Sequence, residues 1–486
     1  MLFNSYIFIL FFLPVTLLGY YGLFRVKSAT WSKVFLLGMS LWFYGYFNLS
    51  YLLIIIFSVL LNYLFSQLLC KVQLSDKYRK LLAIIAITAN VAIIFYYKYY
   101  DFFIENINKG FHTDWQLKNL VLPLGISFFT FQQISYIIDS YRYETKDYTL
   151  LDYALFVTFF PQLIAGPIVL HNEMIPQFKN KKSYVWNWDN AAQGLYIFVV
   201  GLSKKVLIAD VLGKAVEWGY STNSVLSSMD ILIVSVCYTL QIYFDFSGYC
   251  DMAVGIGKML NIDIPQNFNS PYQALSVVDF WKRWHMTLTR FLTRYIYYPL
   301  GGNRKGTIRK YVNIMCVFLI SGIWHGANWT FILWGVIHGA ANVLTRIFQK
   351  SLNKLHVVTQ WVLTFGFINI TWIIFRADNV SQAIKMIRRL IGCEKQKINI
   401  ELISVFKSVE FDFIEDLLHL PRLDGIIPPF YMLLYIMGSV FICLNCKSAQ
   451  QKEFKPSTGN SVFTVALLVY CIFSLSGIST FLYFNF

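Results

Sequence analysis

From Phe3 to Phe24, and again from Tyr51 to Leu69, the chain runs without a single charged side chain. About 20 apolar residues wound as a helix cross the ~30 Å of hydrocarbon in a bilayer. Apolar stretches of similar length recur, three of them carrying one to three charges: Leu81 to Tyr97, Leu122 to Tyr141, Ile231 to Leu260, Asn328 to Phe348, Val357 to Phe375, Pro428 to Leu444 and Val462 to Phe484. Counting the shorter ones gives about eleven apolar segments, each near the length a bilayer asks for or short of it. Lipid offers no partner to a backbone N–H or C=O, so apolar segments of this length must be helical. The expected fold is therefore all-α and polytopic.

Charge tells the same story. Only 14% of the 486 residues are charged, where a soluble domain carries about 25%, and the mean hydropathy is +0.52. A net charge of +15 does not mark a nucleic-acid binder, because the cations fall in the loops between apolar runs, where anionic lipid headgroups attract them. Arg25, Lys27 and Lys33 precede one apolar hairpin, and Lys71, Lys77, Arg79 and Lys80 follow it. The positive-inside rule places both loops in the cytoplasm, the N-terminus outside and Tyr99 to Asn119 in an external loop. The start, MLFNSYIFILFFLPV, lacks a basic leader and reads as an uncleaved first span. Pro161, Gly166 and Pro167 within Leu155 to Leu170 predict a short or re-entrant element. Eight scattered cysteines do not make a disulfide framework, and the single CxxC of Cys443 and Cys446 is weak evidence for a metal; none is expected. By segments, 1–120 reads as N-terminal spans, 121–348 as a catalytic core and 349–486 as C-terminal helices of one membrane domain.

Asp279 to Ala340 is the informative stretch, with three of the seven histidines and five of the thirteen tryptophans. His325 lies in CVFLISGIWHGANWTFILWGV, where an ionisable side chain costs a few kcal/mol and so faces a protein interior or wet cavity. Gly322 and Gly326 bracket it, which permits close backbone approach or a broken helix. Phe280, Trp284, Leu288, Phe291, Tyr295 and Tyr298 recur in steps of three and four, an apolar stripe that predicts one continuous helix. Lys282, Arg283, Arg290 and Arg294 on its other faces place it at the membrane interface. His285 is four residues after Trp281, on the same face of such a helix. His338, one turn after Trp334, reads as a packing or hydrogen-bonding residue. Asp245, Ser247 and Asp251 sit within an apolar run, and hydrogen bonding in a polar core is the favoured reading for the two aspartates. The basic glycine turn Gly301 to Gly306 lacks the spacing of a nucleotide-binding P-loop.

Five blocks in fixed order, FFPQLIAGPI, YFDFSGYCDMAVGIGKM, NFNSPY, DFWKRWHMTLTRFLTRYIYYPLGGNRKG and GIWHGANWTFILWGVIHG, resemble the membrane-bound O-acyltransferases. The likeness is to their bacterial AlgI and DltB branch, and YPLGGNRKG points to its polysaccharide O-acetylation side. The resemblance spans Leu122 to Gly339. It implies a ring of about eleven tilted helices, with re-entrant or interfacial pieces, around a tunnel. It also implies His325 as catalytic residue, His285 as the second histidine, and transfer of an acyl group, chiefly acetyl, from a cytoplasmic thioester to the hydroxyls of an exported or cell-surface polysaccharide. The donor would be acetyl-CoA or an acyl carrier protein, and the transfer would run directly or through an extracytoplasmic esterase-like partner.

On that reading Trp281, Trp284, Trp324, Asn328, Asp245 and Ser247 are candidates to line the tunnel, and Lys282, Arg283, Arg304 and Lys305 to attract donor phosphates. A covalent route through Ser247 or Ser321 lacks a nucleophile-elbow pattern. The rivals are D-alanyl transfer to teichoic acid, a glycan or lipid transporter whose buried histidines and aspartates carry protons, and a scaffold for a partner acetyltransferase.

Overall fold

The computed structural model describes residues 1–71, 74–145, 147–221, 226–393, 397–406, 427–451, 454–475 and 481–482. Most of the acidic stretch Asn399 to Asp424, and the end of the last apolar segment, lie outside them. Helix is the only regular element among the described residues. In chain order the helices used below are α1 (Leu13–Val26), α2 (Ala29–Gly45), α3 (Leu49–Lys71), α4 (Asp76–Ile94), α5 (Tyr100–Phe111), α6 (Ile126–Tyr141), α7 (Leu150–Thr158), α8 (His171–Lys179), α9 (Trp188–Ser203) and α10 (Asp210–Ser221). They continue with α11 (Ser228–Met259), α12 (Val277–Arg283), α13 (Met286–Leu292), α14 (Thr307–His325), α15 (Trp329–Ile347), α16 (Val357–Arg376), α17 (Val380–Gly392), α18 (Ile427–Asn445) and α19 (Thr458–Phe473).

Among the described residues seven helices are long and apolar enough to cross a bilayer: Phe8–Val26, Leu49–Cys70, Asp76–Phe111, Ser228–Met259, Trp329–Ile347, Val357–Arg376 and Pro428–Asn445. The chain is thus a multi-span membrane protein. Other apolar segments of the sequence form shorter helices, such as α2, α6 and α19. The external loop expected from Tyr99 is instead helical to Phe111, because α4 runs through a π-turn at Phe95–Tyr99 into α5. At 36 residues this rod is about 54 Å long, so one end projects beyond the hydrocarbon. The punctuated stretch after α7 is broken as its prolines and glycine demand. A single helical turn, Phe160–Leu163, follows α7, and Gln162 Nε2 donates to the Phe156 carbonyl at 2.8 Å.

Two compact units divide the chain: Met1–Leu202 with Tyr249–Asn267 and Glu453–Phe486, and Ser203–Gly248 with Phe268–Lys452. Within the first, buried amides tie α3, α4 and α6 together. Gln133 Oε1 accepts from Ser58 Oγ at 2.6 Å, and Asn90 Nδ2 donates to Asn62 Oδ1 at 2.6 Å. Interhelical hydrogen bonds of this kind are the usual glue between apolar helices in lipid. Among the described residues no disulfide joins the eight cysteines.

The second unit carries the Asp279 to Ala340 stretch. Its core is the antiparallel hairpin α14–α15, whose helices touch backbone to backbone at two glycines. A Cβ placed on Gly322 would lie 2.4 Å from the Phe331 carbonyl oxygen, and one on Gly335 2.5 Å from that of Phe318. Only glycine allows this approach.

Candidate active site

His325 is the last residue of α14, and the chain turns at once through Gly326 to Asn328, where α15 begins. Asn328 builds that turn: its Oδ1 accepts from the Thr330 N–H at 3.0 Å as an N-cap, and its Nδ2 donates to the Asp378 carbonyl at 2.8 Å. Asn328, expected in the tunnel wall, is therefore engaged in shaping the hairpin tip. The close glycine contact behind the tip fixes where His325 points. Its ring centre lies 4.9 Å from Trp324, 5.2 Å from Trp334 and 5.2 Å from Phe375, each edge to face.

His285 reaches the same place from another direction. The apolar stripe does not form one helix. It breaks between α12 and α13, with Trp284 extended and His285 left-handed at φ 46°, ψ 51°. Histidine is among the few non-glycine residues enriched in this conformation. The break is held from outside, since the Asn269 N–H donates to the Arg283 carbonyl at 2.9 Å. His285 is wholly buried, with ring centres 4.9 Å from Phe246 and 6.0 Å from Trp324. Both histidines thus abut the Trp324 indole. Because the helix breaks, Trp281 and His285 do not share a face as the continuous periodicity implied.

Trp281 points to the third histidine instead. Its Nε1 donates to His338 Nδ1 at 3.1 Å. His338 Nε2 lies 3.0 Å from Thr371 Oγ1, and that hydroxyl donates to the Ile368 carbonyl at 2.9 Å. An indole N–H can only donate, so Nδ1 accepts and the ring proton sits on Nε2. The polar role anticipated for His338 is visible here as a specific relay.

A cavity of about 250 Å³ lies between α12, α13, α14 and α15, next to this relay. Trp281, Phe318 and Ser321 line it, and so do Lys282, Asn342 and Arg346. Ser321 is one turn before His325, while Arg346 is at the far end of α15, so the cavity follows the hairpin away from the histidine. Arg346 is oriented by Asn342, whose Oδ1 accepts from its Nε at 2.9 Å. Arg346 was missed in the sequence reading because nothing local marks a cation at the end of an apolar helix.

The other candidates stand elsewhere. Arg283 is committed to Asp279 at 3.0 Å and to the Asn269 carbonyl. Arg304 and Lys305 are exposed in a turn whose glycines at 301, 302 and 306 have positive φ, and they are not among the residues that line the cavity. Trp284 packs inside an aromatic core with Phe268, Phe280 and Trp372. Asp245 is buried in an ion pair with Lys205 at 2.7 Å, the polar-core role favoured for it. Ser247 is buried and its Oγ has no hydrogen-bond partner among the described residues. His325 does not line the cavity either. It is 4% exposed, with Trp324, Trp334 and Phe375 packed against its ring.

In the first unit, His171 and Asp139 form a separate buried pair. His171 Nε2 is 3.1 Å from Asp139 Oδ2, and its Nδ1 is 3.2 Å from the Tyr148 hydroxyl. Glu144 joins them with ligand atoms all within 4.8 Å, a spacing that could hold a metal ion and that occurs in this one group among the described residues. The direct His171–Asp139 contact already satisfies both groups.

Residues 36–378 match the profile of MBOAT, the membrane-bound O-acyltransferase family. Over its whole length the chain is 40% identical to a peptidoglycan O-acetyltransferase of Helicobacter pylori, of which it covers 98%. It is 36% identical to the probable alginate O-acetylase AlgI of Pseudomonas aeruginosa, over 79% of this chain and 74% of that protein. A teichoic acid D-alanyltransferase of Bacillus subtilis is 26% identical over 53% of this chain and 69% of that protein.

Proposed function

The chain belongs to the membrane-bound O-acyltransferase family, and on that premise we propose that it transfers acetyl from a thioester donor to hydroxyls of a polysaccharide, with peptidoglycan the foremost acceptor. The full-length likeness to a peptidoglycan O-acetyltransferase supports this acceptor over alginate. D-alanyl transfer stands behind both, since that likeness is weaker and covers about half of the chain.

The observation that carries the mechanism is the convergence of His325 and His285 on Trp324. His325 acts as general base. As the acceptor oxygen bonds to the thioester carbonyl carbon, its proton passes to the imidazole; the C–S bond then breaks and the proton leaves with the thiolate sulfur. The imidazolium formed midway sits at the C-terminus of α14, the helix end that favours positive charge by about 0.3–1 kcal/mol. His285 donates to the carbonyl oxygen as charge develops on it. The cavity between Lys282 and Arg346 receives the donor's arm, and these cations take its phosphates, whether the donor is acetyl-CoA or an acyl carrier protein. The acceptor oxygen is a hydroxyl of the polymer itself, or of an extracytoplasmic partner that then carries the acetyl group on to the polymer.

Exchange of His325 for Ala tests this reading. In purified protein the release of free thiol from the donor should fall about 10²–10⁴-fold, and acetyl ester on the cell-wall glycan should disappear. Ester retained at normal protein levels would remove His325 from the mechanism.

A further inference from the structure

We propose that His171, Asp139 and Glu144 form a binding site for a divalent transition-metal ion, entered from the cytoplasmic face. The site involves none of the residues given to acyl transfer, and it departs from the sequence expectation that no metal is held.

Three observations carry it, and the first is spacing. His171 Nε2 and Asp139 Oδ2 stand 3.1 Å apart, with both side chains buried. An ion bound to both at about 2.0–2.2 Å would hold them roughly 3–3.5 Å apart. A proton between the two atoms satisfies both, and a cation does the same with almost no change in their separation. Glu144 brings a third ligand atom within 4.8 Å of the other two. Its side chain is exposed and flexible, so it closes the remaining distance without moving the backbone.

The second is orientation. His171 Nδ1 lies 3.2 Å from the Tyr148 hydroxyl. With the ring proton donated there, the Nε2 lone pair faces Asp139, and metal-binding histidines are fixed through their other ring N–H in this way. Asp139 is held by its other oxygen, since Arg142 Nη1 is 3.4 Å from Oδ1. Oδ2 is left for the ion.

The third is charge. Asp139 lies in the last turn of α6. Glu144 follows a left-handed Tyr143 (φ 65°), and that turn brings the Glu144 N–H to the Asp139 carbonyl at 2.9 Å. Two carboxylates at the negative end of a helix oppose its dipole, and a cation there relieves the conflict. Arg79 Nη2 donates to the Tyr141 carbonyl at 2.6 Å. This helix end is therefore level with the basic loop Lys71 to Lys80, which the positive-inside rule places in the cytoplasm.

One imidazole nitrogen and two carboxylate oxygens, completed by water on the exposed side, suit Zn²⁺ better than Mg²⁺ or Ca²⁺, which take oxygen alone. The bound ion would pin the end of α6 to His171, the first residue of α8.

The test titrates Zn²⁺ calorimetrically into chelator-treated, dialysed full-length protein in detergent. The parent should bind it, and its thermal midpoint should rise with Zn²⁺ but not with Mg²⁺. Glu144→Gln changes an exposed side chain and should weaken binding at least about 10-fold, with Tyr148→Phe weaker by about 10–100-fold. His171→Gln, which keeps a hydrogen bond to Asp139, should abolish binding. If that variant does not fold, the Glu144→Gln and Tyr148→Phe comparisons decide alone. Zn²⁺ bound no more tightly by the parent than by Glu144→Gln overturns the proposal, as does a Mg²⁺ response equal to that of Zn²⁺.

Discussion

The imidazole of His285 and the indole of Trp324 lie with ring centres 6.0 Å apart, although 39 positions separate them and only Trp324 belongs to the α14–α15 hairpin. The contact exists because His285 adopts a left-handed backbone that ends α12 and starts α13. Position 285 therefore does two jobs, one through its backbone and one through its ring, and substitutions can separate them. Asn tolerates the left-handed region, whereas a β-branched residue there is strained by about 1–2 kcal/mol. His285→Asn should melt close to the parent in detergent yet consume donor thioester about 100-fold more slowly. His285→Val should lose both stability and activity. Wild-type turnover in His285→Asn would leave the ring with a packing role only.

Close helix contact at Gly322 and Gly335 sets the height of His325 in its aromatic shell. A Cβ at either position meets a carbonyl oxygen of the opposing helix within 2.5 Å, and backbone cannot yield as a side chain can. Gly322→Ala and Gly335→Ala should each cost about 1–3 kcal/mol, read as a lower thermal midpoint. In protein that still folds, kcat should fall more than donor KM changes, since the hairpin carries the imidazole but only one flank of the cavity.

Much of this arrangement was legible in the sequence because lipid imposes strong rules. Uncharged runs long enough to span had to be helices, and a histidine within GIWHG had to be sheltered. Gly322 was legible as a close-contact residue for the same reason. The break at His285 was not, since the apolar stripe from Phe280 to Tyr298 passes through it without a glycine or proline to mark it. Helix α5 escaped notice because its charges looked like loop chemistry, whereas Glu105 and Lys109 pair across one turn at 4.0 Å. Arg346 and the Trp281–His338 bond depend on which helices become neighbours, and a linear pattern does not state that.

Lys205 and Asp245 are forty residues apart and meet in the interior of the second unit at 2.7 Å, with Asp210 also 2.8 Å from the lysine. Removing one member of a buried pair leaves the other charged and unsolvated, at a cost of about 3–5 kcal/mol. Lys205→Met should therefore destabilise strongly. Asp245→Asn should cost less, because Lys205 keeps Asp210. The double variant Lys205→Met with Asp245→Asn should be more stable than Lys205→Met alone, which would be seen as a rise in melting temperature. Simple additivity of the two effects would show that the charges do not depend on each other.

Asp152 provides a pH test outside the membrane spans. Burial alone would push its carboxyl up. The hydrogen bond from Lys33 at 2.6 Å and that from the Thr149 hydroxyl at 2.9 Å, together with the Lys33 charge, outweigh burial and hold it below the ordinary carboxylate range. A carboxyl depressed in the folded state adds stability above its unfolded pKa of about 3.9, and loses it as pH falls through the lower folded value. Asp152→Asn keeps the shape of the α7 cap but removes the charge. At pH 7 it should unfold at a lower temperature than the parent. The gap should persist down to about pH 5 and close progressively below about pH 4, as the parent's own Asp152 takes up its proton. A gap of constant size from pH 7 to pH 3 would mean that the Lys33–Asp152 contact contributes through packing rather than charge.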